Sequence, residues 1–170
     1  MTDKMARTKI LSAPPKPRLV KGSAIARRSA ARLVAVQSVY QMLHLGLTAD
    51  DVVDDYLHHR LGLEEDGELY VAADTAMLRD IVQGVAAQQD HLSGMLTEAL
   101  KPAHEWARTD VLIQANLLCG AYELLTQVAT PSGIIVNDYL EVTKAFYDPP
   151  IPGLVHAVLD RISKVLRPAV

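Results

Sequence analysis

Three arginines near the start of the first amphipathic segment have the residue type and spacing for binding chemistry. Arg28 and Arg32 are four residues apart, so they share one face of a helix, and Arg27 flanks them. A guanidinium group can donate hydrogen bonds to two oxygens of one phosphate and can stack on aromatic rings. Tyr40, further along the same segment, could stack on an unpaired base, although its periodicity alone favours core packing. The arginines predict a compact cationic patch suited to nucleic acid.

The distribution of charge is compatible with such a partner but does not identify it. Residues 1–32 carry nine Lys and Arg against Asp3 alone, whereas the whole chain has a net charge of −3. A basic arm on an acidic body is typical of nucleic-acid binding, because each cation beside a phosphate releases counterions. A tail that serves only solubility would have the same composition. Charge alone therefore leaves both interpretations open.

Four clustered aspartates raise the question of a metal site. Two of them, Asp51 and Asp55, lie four apart on one helical face and could hold a divalent cation. The alternative is a solvated helix face, since carboxylates are favoured near a helix N-terminus. We expect the solvated face and no bound metal for the set Asp50, Asp51, Asp54 and Asp55.

The other residues with possible chemistry are better explained as surface or core. His58 and His59 are adjacent, so on a helix they point about 100° apart and need further ligands to hold one metal. Trp106 could stack on a base, but a tryptophan near a helix start is more often a packing anchor. Cys119 follows two leucines and is expected to be a buried, inert thiol.

Motifs of catalysis and export are missing from the sequence. It has no glycine-rich phosphate loop, no G-x-S-x-G elbow and no H-E-x-x-H helix. One cysteine cannot form an intramolecular disulfide, and no apolar run approaches the roughly 20 residues of a membrane span. We expect a cytoplasmic protein that is not an enzyme and needs no cofactor.

Apolar residues recur at helical spacing in seven segments, which predicts an all-α fold. The only β-branched run, residues 134–136, is too short to found a sheet. The predicted helices extend from Ser23 to Gly46, from Thr48 to before Gly62, through Met77–Val85 and Leu92–Leu100, from Thr109 and Asp110 to Leu125, from Pro131 to Phe146, and through Leu154–Leu166.

Prolines mark the segments that should not be helical. Residues 1–22 contain three prolines and are predicted to form a disordered basic tail, followed by one helical domain at residues 23–170. A second proline-rich segment, Asp148–Gly153, is also predicted to be non-helical.

Three blocks of the sequence, in order, resemble the NusB family. RRSAARLVAVQSVYQM, residues 27–42, is similar to the family pattern R-x-x-A-R-x-x-A-V-Q-x-[LV]-Y. Residues 121–146 contain AYELL, VND and EVTKAF, which resemble its Y-E-L, V-x-[IV]-N-E and E-[LI]-A-K-x-F segments. Residues 158–162, VLDRI, resemble its V-L-D-[KR]-I.

The resemblance implies a compact fold of about seven helices in two packed helical subdomains. It also implies a transcription antitermination factor that binds boxA RNA of ribosomal RNA operons together with NusE, a small-subunit ribosomal protein, within the RNA polymerase antitermination complex. A homodimer is a further possibility, since family members occur as monomers and dimers. Carried over by position, with Arg27 added on charge alone, the expected RNA-contacting residues are Arg27, Arg28, Arg32, Gln37, Tyr40 and Lys144.

Departures from the family pattern fall mainly after Phe146. The segment DPPIPGLVHA replaces an acidic, Ser/Lys-containing stretch that leads into F-V-N-G, so Leu154 replaces the frequent aromatic residue. Leu118 stands where many members have an arginine. These changes bear on RNA preference and on the partner surface more than on the fold.

Two other functions are compatible with the same residues. A helical adaptor could bind a basic protein partner through its acidic body without any RNA. The NusB fold also occurs as the RNA-binding part of ribosomal RNA cytosine methyltransferases, but no segment remains here for a methyl-donor domain.

Overall fold

The computed structural model describes residues 22–60, 64–65, 68–69 and 71–168. The predicted tail at residues 1–22 lies outside the described residues except for Gly22. Within the described part, the all-α prediction is confirmed. The helices are α1 Ala24–Leu45, α2 Ala49–Asp55, α3 Thr75–Ala87, α4 Gln89–Leu100, α5 Val111–Thr126, α6 Ser132–Phe146 and α7 Ile151–Leu166.

Short irregular elements connect some of these helices. One π-helical turn, Tyr56–Arg60, continues α2, and a 3₁₀ turn, Trp106–Arg108, precedes α5. Glu64–Glu65 pairs antiparallel with Glu68–Leu69, which is the only strand pairing in the described ranges.

The predicted helix caps are formed by side-chain oxygens. Ser23 Oγ accepts a hydrogen bond from the Ala26 amide at 3.1 Å, and Thr48 Oγ1 accepts one from Asp51 at 3.2 Å. These bonds satisfy amides that have no partner within their own helix. Gly46 ends α1 with a φ of 69°, a left-handed conformation that favours glycine.

The start of α7 differs from the sequence-based prediction. Ile151, Pro152 and Gly153 are helical, so the expectation of a non-helical segment through residue 153 was wrong at these three positions. Proline is tolerated in the first turn of a helix because amide groups there have no intrahelical acceptor. The prolines therefore start the helix instead of preventing it.

Helix α5 lies at the centre of the molecule. It packs against five other helices, α1, α3, α4, α6 and α7. Residues 115–124 are all buried, which accounts for the unusually broad apolar surface in its sequence. The two groups of helices, α1–α3 and α4–α7, share one continuous core.

Close packing between α3 and α5 depends on a glycine. A Cβ atom placed on Gly84 would lie 2.1 Å from Cζ of Tyr122, so the tyrosine ring occupies the space of the missing side chain. The Tyr122 hydroxyl donates to Asp80 Oδ1 at 3.0 Å. The two helices are thus joined by both a contact and a hydrogen bond.

Two core predictions are confirmed. Cys119 is fully buried, and this burial, together with the charge of Glu123, raises the pKa of its thiol well above the usual value. Trp106 is half-buried and packs against the core. Across the described helices, none combines the length and apolar character needed to cross a membrane.

Candidate nucleic-acid interface

A groove of about 660 Å³ lies between the start of α1 and the start of α6. Arg28 and Ser29 line it from α1, while Thr130 and Pro131 line it from the turn that precedes α6. Ile134 stands at its edge with 51% of its surface exposed. The groove therefore combines a cation with apolar and hydroxyl-bearing walls.

Arg28 provides the groove with an exposed positive charge. Its side chain and that of Arg27 are exposed, and neither takes part in an ion pair within the described residues. A guanidinium group without a protein carboxylate keeps its donors available for an external anion. Phosphate is an anion of the right geometry for such a fork.

Arg32 also lines the groove but is buried. Its side chain is 4% exposed, with Nε donating to Glu123 Oε2 at 2.8 Å and Nη2 donating to Glu123 Oε1 at 3.0 Å. Nη1 donates to Asp138 Oδ2 at 2.6 Å. The sequence predicted that Arg32 forms a compact cationic patch with Arg28, whereas the structure turns its guanidinium group inward and away from solvent. The physical reason is that two carboxylates from other helices hold its guanidinium group inside the protein.

The buried carboxylate of Glu123 has its charge balanced by this arginine. Tyr139, also fully buried, donates its hydroxyl to Glu123 Oε2 at 2.5 Å. Burial alone would lower the pKa of the Arg32 guanidinium, but the hydrogen bonds and charge of Glu123 outweigh it and raise that pKa. Burial and the charge of Glu123 raise the pKa of Tyr139 well above its usual value. The Arg32 guanidinium and the Tyr139 hydroxyl thus both keep their protons.

This network joins three helices at the floor of the groove. Arg32 belongs to α1, Glu123 to α5 and Asp138 to α6, and Asp138 Oδ2 also accepts from Ser29 Oγ at 2.9 Å. Arg28 lies one helical turn before Arg32. The network therefore fixes the stretch of α1 that presents Arg28.

A second polar surface lies further along α1. The rings of Tyr40 and His44 are stacked, with centroids 5.4 Å apart and planes 9° apart. Tyr40 is half-buried against the core and His44 is exposed. An exposed aromatic stack is a surface on which a nucleobase can add a further ring.

The hydroxyl of Tyr147, just past α6, donates to Asp110 Oδ1 at 2.7 Å. Burial and that carboxylate raise the pKa of Tyr147, with a smaller effect from nearby Tyr40. Ser29 and Arg32 meet Asp138 in the middle of α6, whereas Tyr40 lies near Tyr147 after its end. Helices α1 and α6 therefore lie side by side and run in the same direction.

The structure does not bring all the predicted site residues together. Gln37 is half-buried and nine residues after Arg28, which is two and a half helical turns and places it on the opposite side of α1. Lys144 is exposed on α6, where its ammonium group pairs with Glu141 at 3.1 Å. Tyr40 lies about 18 Å from Arg28 along α1, at 1.5 Å per residue. A ligand that meets all of them must be extended.

The alternative metal and histidine sites find no support in the described residues. No group of three or more His, Cys, Asp or Glu there is arranged to hold a metal ion. His58 and His59 are exposed, with ring centroids 6.3 Å apart.

Sequence reasoning missed two of the residues that shape the groove. Glu123 stands within the apolar run of α5, and a carboxylate in a helix buried on all sides requires a cation. The sequence therefore indicated that Glu123 needs a cationic partner, but it did not show that this partner is Arg32. Arg167, whose guanidinium group donates to the carbonyl of the groove-lining residue Thr130 at 2.6 Å, was missed because no motif near it in the sequence marks it.

Comparison with protein families gives one model that spans most of the chain. The model described as "NusB family" matches residues 29–164. A transcription antitermination protein NusB of Allorhizobium ampelinum is 44% identical over 145 residues, which cover 85% of this chain and 91% of that protein. The protein of the same name from Rhizobium rhizogenes is 43% identical over 141 residues, covering 83% and 88%.

Solved structures share the same architecture. T. maritima NusB aligns with a TM-score of 0.70 at 17% identity, covering 88% of this chain and 96% of that chain. A chain from the crystal structure of antitermination factors NusB and NusE in complex with dsRNA aligns with a TM-score of 0.68 at 16% identity, covering 82% and 97%. At these identities the likeness is one of fold.

Proposed function

The chain belongs to the NusB family of transcription antitermination proteins, and from this premise we propose that it binds boxA RNA of ribosomal RNA operons together with NusE. This family consists of regulators and not of enzymes, in agreement with the sequence-based prediction. The place of action is the RNA polymerase antitermination complex in the cytoplasm.

One observation carries the proposal. Arg28 projects into a groove with its charge unpaired by any carboxylate of the described residues, while the network beneath it fixes the helix that bears it. A preorganised guanidinium loses little freedom on binding a phosphate, so it contributes more affinity than one on a mobile arm. Arg27, also exposed, adds a second cation.

The remaining residues have different roles in the proposal. Tyr40, with His44 stacked on it, receives a base, and Gln37 and Lys144 contact other parts of the same extended strand. Arg32 acts from the core: all three of its nitrogens already donate to carboxylates, so it holds α1 in place instead of contacting phosphate.

NusE is the proposed protein partner. A solved chain with this fold comes from a crystal that contains NusE and dsRNA, which supports a joint RNA and protein interface here. The acidic body of the chain suits a basic ribosomal protein, because opposite charges steer association. A homodimer would be an alternative use of the same surfaces.

A gel-shift assay tests the proposal. It compares fluorescein-labelled single-stranded boxA RNA with a scrambled RNA of equal composition, each with and without NusE. We expect tighter binding of boxA RNA and a further gain with NusE. Equal binding of both RNAs, with no effect of NusE, would show that the chain binds RNA only non-specifically through its positive charges.

The acidic body also supports a second candidate, an adaptor that binds a basic protein without RNA. Size-exclusion chromatography with purified NusE separates the two functions. Complex formation with NusE in the absence of any measurable RNA affinity would favour the adaptor.

A further inference from the structure

The last described turn of the chain holds the end of α5. Nε of Arg167 donates to the Leu124 carbonyl at 3.0 Å, and Nη2 donates to the Gln127 carbonyl at 2.7 Å. The final carbonyl groups of a helix have no partner within the helix and carry the negative end of its dipole. A guanidinium group placed there donates to these carbonyls, and its positive charge is favourable at the negative end of the dipole.

The same guanidinium also crosses to the start of α6. Nη1 donates to the Thr130 carbonyl at 2.6 Å and lies 3.3 Å from Ser132 Oγ. One side chain thus fastens both ends of the turn at residues 127–131, which joins α5 to α6. Thr130 and Pro131 of this turn line the groove that contains Arg28.

We propose that Arg167 is a positioning residue for RNA binding: it holds the 127–131 turn as the wall of the groove opposite Arg28 and does not contact RNA itself. This inference rests on the proposed function. Arg167 is only partly exposed, and Nε, Nη1 and Nη2 each donate to a protein carbonyl, so its fork has no face left for a phosphate.

The groove wall depends on this side chain because few other contacts hold the turn. Within the turn, the Thr130 amide donates to the Gln127 carbonyl at 3.0 Å, and at its start the Gln127 side-chain amide donates to Asp80 Oδ2 at 3.1 Å. Val128 is 79% exposed and contributes little packing. Without the arginine fork, the wall would sample several positions, and RNA would have to select the right one.

A matched arginine on α7, the helix that ends just before Arg167, provides the control. Arg161 of α7 donates Nη1 to the Ala99 carbonyl at the end of α4, so it also joins α7 to a helix terminus. The lining of the groove comes from α1, α6 and the turn between α5 and α6, not from α4. Losing Arg161 should therefore affect stability without affecting the groove.

The experiment measures RNA affinity, its salt dependence and thermal stability for R167A, R167K and R161A, with fluorescein-labelled single-stranded boxA RNA. We expect R167A to bind about three- to tenfold more weakly, the range for a residue that acts through its neighbours. R167K should also bind more weakly, since an ammonium group cannot reproduce the fork. R161A should bind as the wild type does.

The slope of affinity against salt separates positioning from contact. A positioning residue leaves this slope unchanged, whereas loss of a phosphate contact lowers it. A lower slope in R167A, or wild-type affinity in both R167A and R167K, would overturn the inference. If R167A does not fold, the RNA affinity of R167K and its salt dependence test the inference.

Different results would overturn the role of Arg167 and the proposed RNA binding. If R28A weakens binding while R167K matches R161A, only the positioning role is wrong. If the wild-type chain does not bind the RNA at all, both are wrong.

Discussion

Arg32 and Glu123 form a buried bidentate ion pair, with both contacts at 3.0 Å or less, between residues 91 positions apart in the chain. The pair explains why one of the three arginines at the start of α1 is not on the surface. It also divides the arginines of α1 into one that stabilises the fold and two that are exposed to a ligand.

Removal of Arg32 should therefore be costly for folding. Arg32→Ala leaves the Glu123 carboxylate buried without its cation, and we expect the free energy of unfolding in urea to fall by about 3–5 kcal/mol. Arg28→Ala is the control, because an exposed arginine without an ion pair should change stability by less than about 0.5 kcal/mol. Equal stability of the two variants would contradict the structural role of Arg32.

The contact between Gly84 and Tyr122 predicts that alanine substitutions at two glycines have different effects on stability. Gly84→Ala places a methyl group in the space of the Tyr122 ring and should destabilise the protein by about 1–3 kcal/mol. Gly94→Ala, in the middle of α4 with open space around it, should be neutral or stabilise by up to about 1 kcal/mol. Thermal unfolding of the two variants measures this, and a stabilised Gly84→Ala would show that the ring does not lie there.

Asp110 gives a prediction about pH. The hydrogen bond from Tyr147 lowers the pKa of this carboxyl below its ordinary value of 3.8. A pKa that is lower in the folded state adds stability above pH 3.8, and this stability is lost as the pH falls through the folded value. Tyr147→Phe should raise the Asp110 pKa towards 3.8 and make the acid limb of the stability curve shallower.

Carboxyl-detected NMR titration measures the Asp110 pKa directly. Asp160 serves as an internal control, because its pKa is lowered chiefly by a hydrogen bond from Lys164 and should not respond to Tyr147→Phe. An unchanged Asp110 pKa in this variant would exclude the hydrogen bond as the cause.

Local sequence patterns predicted the helices, but they could not predict contacts between residues that are distant in the chain. Ser23 and Thr48 marked helix starts because a cap bonds an amide only three residues away. The spacing of Arg28 and Arg32 gave a shared face of α1, but not which face α5 and α6 cover. Burial of Arg32 depends on Glu123 and Asp138, and no local rule connects residues that far apart.

The aromatic stack on α1 predicts a loss of RNA affinity that is independent of charge. Tyr40→Leu keeps an apolar side chain at the core and removes the ring, so RNA binding should weaken by about 1–3 kcal/mol, the usual value of stacking on one base. Tyr40→Phe retains the ring and should bind nearly as the wild type does. Fluorescence anisotropy with labelled boxA RNA measures both, and equal loss in the two variants would point to the hydroxyl instead of stacking.

The most direct test of the proposed function is the salt dependence of RNA affinity in Arg28→Ala. If Arg28 neutralises one phosphate of a single strand, the slope of log affinity against log salt should become shallower by about 0.7, with weaker binding at low salt. Anisotropy titrations of wild type and variant at several salt concentrations measure this slope. An unchanged slope and affinity would contradict the role of the groove in binding RNA.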